Sequence, residues 1–143
     1  MSNSIKIPAW FYMVATVAVI WDAMGVWAYI NTMTLSAAAL AAMPFVEQEI
    51  HNATPAWANA AFAIAVFGGL IGSVLLLLKK SLALPVLIVS LLAILVQMYN
   101  AFFIMDSFAV FGPGGMIMPI MVIVIAVFLV WLAKSAKSKS WIN

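Results

Sequence analysis

The chain has 143 residues, of which 68% are hydrophobic and 7% charged, with a mean hydropathy of +1.22. A soluble domain is about half apolar and about a quarter charged, and so short a chain has too little interior to hide the excess, so its solvent must be lipid. Six lysines, no arginine, four acids and a net charge of +2 are too sparse for a nucleic-acid surface, and the lack of cysteine excludes disulfides, thiolate metal sites and iron–sulfur clusters.

A hydrocarbon core about 30 Å thick takes about 20 apolar residues of helix to cross. Runs of that kind predict four spans, at about residues 8–30, 56–78, 82–105 and 115–133, within a single transmembrane domain covering 1–143. The fold class is therefore all-α: an integral membrane four-helix bundle. The first run is too long for the apolar region of a signal peptide and contains Asp22, so it is read as a helix. Pro8, Pro55 and Pro113 stand just ahead of three spans, where a missing N–H costs a helix least. Between the first two spans lies the only sizeable loop, 31–55. Its Ala-rich stretch from Thr34 to Met43 predicts a short helix with Thr34 as N-cap, which Pro44 should break. Beyond Pro44, Phe45, Val46 and Ile50 alternate with Glu47, Gln48, Glu49 and His51 at helical spacing, so a short helical cap is expected on the outer surface.

Lys6, Lys79, Lys80, Lys134, Lys137 and Lys139 all fall on one side of this arrangement, and Glu47, Glu49 and Asp106 on the other. The positive-inside rule then places both termini in the cytoplasm. Trp10 and Trp131 belong at the inner interface, and Trp27, Tyr29 and Trp57 at the outer one.

Helices in lipid pack through small residues and through polar ones that bond across the interface. Such stripes run through Ala15, Ala18, Asp22, Gly25 and Tyr29 on the first span, Ala58, Ala61, Ala65, Gly68 and Gly72 on the second, and Ser90, Ala93, Gln97 and Asn100 on the third. The fourth span shows only Ala126 and Ala133, which predicts a face turned to lipid or to a partner. Gly68 and Gly72 form a Gly-x-x-x-Gly that can serve the bundle itself or a dimer seam.

Asp22 is the only ionisable residue deep in a span. An acid there costs about 3 kcal/mol on insertion scales unless it is paired or faces water. At about 1.5 Å per residue it lies about 20 Å from the cytoplasmic end of its helix, against about 22 Å for Gln97 and about 27 Å for Asn100, with Asn59 near the height of Asn100. Asp22, Asn59, Gln97 and Asn100 can therefore converge in the outer half of the bundle, with Trp21, Tyr99 and Tyr29 as hydrogen-bonding aromatics. Three readings fit this set: a network that ties the helices together, a site for a small polar solute, and a proton- or cation-coupled step. Aromatic rings beside amides suit sugars or polyols, the rings covering C–H faces while the amides bond hydroxyls.

Other chemistry is not expected. Glu47, His51 and Asp106 offer too thin a basis for a metal centre, and the methionines are read as gap-filling or lipid-facing. Gly112-Pro113-Gly114-Gly115 lacks the Lys and Ser/Thr of a phosphate loop and is read as a turn. No nucleophile, base and oxyanion site can be assembled, so neither an enzyme nor a cofactor is expected.

The segments Lys6-Ile7-Pro8-Ala9-Trp10-Phe11, Trp21-Asp22-Ala23-Met24-Gly25-Val26, Pro55-Ala56-Trp57-Ala58 with Ala61 to Gly69, and Gly112-Pro113-Gly114-Gly115-Met116 resemble small four-span bacterial inner-membrane proteins. Members often carry the label "sugar transporter" and are similar in layout to DoxX-like proteins. The resemblance covers nearly the whole chain and implies solute transport across a bacterial inner membrane, without assigning residues. The expected function is thus binding or transport of a small polar solute, with Asp22 as anchor or protonation switch and Asn59, Gln97, Asn100, Tyr99 and Trp21 around it; so small a transporter should form homo-oligomers. The alternative is a non-catalytic accessory subunit packed on a larger membrane complex.

Overall fold

The computed structural model describes residues 6–104 and 117–143. Four helices in it are long and apolar enough to cross a membrane, and the protein is an all-α, multi-pass membrane bundle. They are α1 (Ala9–Met33), α4 (Ala56–Leu77), α5 (Ala83–Tyr99), extended by a π-helical turn at Asn100–Ile104, and α6 (Ile117–Ser138). Two short helices, α2 (Ala37–Ala41) and α3 (Phe45–Ala53), occupy the long loop. Pro8 and Pro55 precede α1 and α4 in extended conformation, as their position in the sequence implied.

Helix ends depart from expectation in instructive ways. Thr34 does not cap α2. Its hydroxyl donates to the Ile30 carbonyl at 2.6 Å and its N–H bonds the same oxygen, so it closes α1 three residues past the expected end. Ser36 is the cap instead, accepting from the Ala39 N–H at 3.0 Å, which shortens α2. Pro44 breaks the loop helix as expected, and the Gln48 side chain donates to the Met43 carbonyl at 2.7 Å, fastening α3 to that break. α6 continues past Ala133 to Ser138, because Lys and Ala favour a helix whether or not lipid surrounds them. Met105, Asp106 and the Gly112–Gly115 turn lie outside the described residues.

Consecutive spans pack as neighbours, α1 on α4, α4 on α5, and α5 on α6. The densest core lies at the end carrying the termini, where Phe11, Ala15 and Ala18 of α1, Leu76, Ala83 and Leu87 at the α4–α5 junction, and Leu129, Leu132, Ala133 and Ala136 of α6 are buried together. Two matching turns seal this end. Lys79 (φ 64°) and Ser140 (φ 59°) take the left-handed conformation just past α4 and α6, and the following N–H groups reach back to Leu75 and Ala136, each at 2.8 Å. This is the hydrogen-bond pattern of a Schellman C-cap. Asn143 then bridges the two turns, its N–H donating to the Lys79 carbonyl at 3.1 Å and its carbonyl accepting from Ser81 at 2.9 Å. Trp141 packs edge-on against Trp10 and Phe11, with Lys139 over its ring.

The small-residue stripes meet one another as expected, with one addition. A Cβ on Gly68 would lie 3.3 Å from Ser90 Cβ, and one on Gly72 would lie 2.6 Å from the Leu87 side chain, so the Gly-x-x-x-Gly serves the α4–α5 seam. Ser90 also donates across this seam to the Ala65 carbonyl at 2.6 Å. Gly69, absent from the expected stripe, is buried on the α1 side. The least enclosed span is α1 and not the fourth: 11% of its most apolar window is buried, against 17% for α6.

Candidate functional site

Away from the sealed end the core thins to a small cluster around Ala65, Ala93 and Ile94, and two cavities lie among the described residues there. The deep one, about 380 Å³, is bounded by Trp21, Asp22, Gly25 and Ala28 of α1, Phe62, Ala65 and Gly69 of α4, Ser90, Ile94 and Gln97 of α5, and Val122, Ile125 and Ala126 of α6. The upper one, about 490 Å³, lies under the α3 cap, between Thr32 of α1, Glu47, Ile50 and His51 of α3, Asn59 and Phe62 of α4, and Gln97 and Asn100 of α5. Phe62 and Gln97 belong to both walls.

The polar residues singled out from the sequence are thus divided rather than gathered. Asp22 and Trp21 line the deep cavity, Asn59 and Asn100 the upper one, and Gln97 joins them. Tyr99 lines neither: it is 56% exposed and its ring lies beside Phe103 on the outside of the bundle. Consecutive helical residues point about 100° apart, so Tyr99 faces out because Asn100 faces in. Tyr29 also lines neither cavity and packs edge-on against Phe62 and Phe67, at 5.2 and 5.7 Å between ring centres.

Asp22 is half-buried, and its partner is one the sequence analysis missed. Ser73 Oγ donates to Asp22 Oδ2 at 2.5 Å, and the carboxyl lies against Gly69, one turn earlier on α4. Counting residues from predicted helix ends assumes that all helices start level and run upright, and it placed Asp22 beside the amides. The signal that could have found Ser73 is its spacing of four from Gly69, which puts both on one face.

The deep cavity is mostly apolar, its polar lining limited to Asp22, Ser90 and Gln97. The upper cavity is amide-rich, with Glu47 and His51 facing it from consecutive turns of the cap. Asn100 sits at the first position of the π-helical turn, 5% exposed, and its Oδ1 is buried without a hydrogen-bond partner among the described residues. π-Helical turns re-aim side chains by widening the helix locally, and they recur at functional sites. Among the described residues no three His, Asp or Glu side chains converge to hold a metal ion.

No family model, curated protein or solved structure matches the chain.

Proposed function

We propose that this membrane protein binds a small polar solute of sugar-like character in the cavity beneath α3, and passes it toward Asp22. Asn59, Gln97 and Asn100 supply hydrogen bonds to hydroxyls, and Phe62 covers a C–H face. The observation that carries the reading is the Asn100 side-chain oxygen, buried against the cavity with no partner among the described residues. A buried polar group left unsatisfied costs about 1–3 kcal/mol, and a hydroxyl-bearing solute recovers that energy. Because Gln97 and Phe62 wall both cavities, Trp21 and Asp22 stand further along the same route, which supports passage of the solute. The clustering of lysines at the end with the termini supports a bacterial inner membrane with both termini in the cytoplasm. The resemblance to four-span "sugar transporter" proteins supports the same assignment.

The test is saturable binding and uptake of radiolabelled monosaccharides and polyols by the purified protein in liposomes. At least one solute should bind, and Asn100→Leu should weaken it about tenfold, equivalent to about 1.4 kcal/mol. Binding of no solute in the panel, or equal binding by the variant, would reject the reading. A second reading, an accessory subunit of a larger complex, draws on the weak enclosure of α1. Native mass spectrometry of the particle extracted in mild detergent separates the two: a heteromer supports the subunit, whereas a homo-oligomer or lone protomer supports the solute protein.

A further inference from the structure

The deep cavity has a chemistry of its own and an opening of its own. Two of its lining residues, Met24 of α1 and Met118 of α6, are 60% and 59% exposed on the outer surface of the bundle. α1 and α6 meet in the core at the termini-bearing end, but among the described residues their backbones approach far less than those of α1 and α4 or α5 and α6. These two exposed methionines mark the side of the cavity between α1 and α6, helices long and apolar enough to lie in a bilayer.

The lining is mostly apolar; Ser90 and Gln97 are polar, and its one ionisable group is Asp22, whose carboxyl is held by Ser73. Trp21 and Phe62 add aromatic rings. No lysine lines the cavity, and the chain has no arginine, so the protein brings no cation of its own to the carboxyl. An intramembrane acid demands a partner or water. Aromatic faces attract cations whose charge is spread over apolar groups, and the cavity falls within the range of about 300–1,000 Å³ typical of small-molecule sites. Methionine at the mouth adapts to ligands of varied shape.

We propose that the deep cavity is a binding site for lipophilic organic cations, which reach Asp22 from the bilayer between α1 and α6. Such a molecule partitions into the membrane by its apolar groups and pairs its charge with the carboxyl. A neutral amphiphile fills the same space but gains nothing from the charge. A lipophilic anion is repelled. This site adjoins the upper cavity through Phe62 and Gln97, and its ligand class differs from the polar solute bound there.

The experiment is equilibrium dialysis of tetraphenylphosphonium against the purified full-length protein in a neutral detergent, with tetraphenylborate, an anion of the same shape, as comparison. The wild-type protein should bind the cation saturably and the anion at least about tenfold more weakly, and Asp22→Asn should lose about tenfold in cation affinity while keeping an acceptor for Ser73. Equal binding of the two ions, binding of neither, or full cation affinity in Asp22→Asn would overturn the proposal. Met24→Trp, at a largely exposed position, should obstruct the mouth and slow cation binding several-fold in a filter-binding time course; an unchanged rate would overturn the lateral route. Sugar binding measured in the same preparation stands or falls separately, because it reads the upper cavity.

Discussion

The Asp22 carboxyl occupies the space that a side chain on Gly69 would need: a Cβ there would lie 2.7 Å from Oδ1 and 3.1 Å from Cγ. α1 and α4 can approach at this level only because one residue carries an acid and the other carries nothing. Gly69→Ala gains up to about 1 kcal/mol of helix propensity, but displacing the carboxyl from Ser73 should cost more, about 1–3 kcal/mol in all. The check is thermal unfolding in detergent, with Gly25→Ala as comparison, since its Cβ would meet only Val66 at 3.3 Å. Equal melting temperatures for the two variants would contradict the close approach.

Ser73→Ala removes the only hydrogen bond that the carboxyl accepts from a side chain among the described residues. Hydrogen bonds between helices in membranes are worth about 0.6 kcal/mol on average and up to about 1.7, and one to a carboxyl belongs at the upper end. A double-mutant cycle of Asp22→Ala with Ser73→Ala should give a coupling of about 1 kcal/mol or more. A coupling of zero would show that the pair does not form.

At Asn100 stability and function should move in opposite directions. Its oxygen, unpartnered among the described residues, is a liability in the empty protein, so Asn100→Leu should leave the melting temperature unchanged or raise it while weakening solute binding about tenfold. A large loss of stability would mean that the amide serves the fold and not a ligand.

The termini-bearing end depends on Trp141. Trp141→Ala loses ring contacts with Trp10 and Phe11 at 5.7 and 5.6 Å and the cover over Lys139, and should cost about 1–3 kcal/mol in unfolding measurements. Tyr99→Ala, on the outer face beside Phe103, should cost far less. Similar costs for the two would show that the seal is not what holds this end.

The spans were legible because long apolar runs bounded by lysines and prolines admit one reading in lipid. Depth was not, because it depends on tilt and on where each helix starts. Gly69 escaped notice for a related reason. α4 packs against two neighbours, and the stripe through Gly68 and Gly72 describes only the face toward α5; Gly69, rotated by about 100°, belongs to the face toward α1. Tyr99 was placed in the site by its chemistry, although its neighbour Asn100 already held the inward direction. Asn59, Gln97 and Asn100 do share one cavity, as their heights implied, and Asp22 meets only Gln97 of the three, in the deep cavity.

The clasp formed by Asn143 and the two left-handed turns gives the bundle the mechanics of tongs. The helices are riveted at one end and more loosely packed around two cavities beyond it, so relative motion should grow with distance from the rivet and be widest at the α3 cap. Spin labels at Met33 and Ala101 should accordingly show a broader distance distribution than labels at Tyr12 and Ser135, and equal widths would show a rigid barrel. A molecule built this way can gape toward one side of the membrane with its present contacts intact, whereas opening toward the other requires the clasp to be undone.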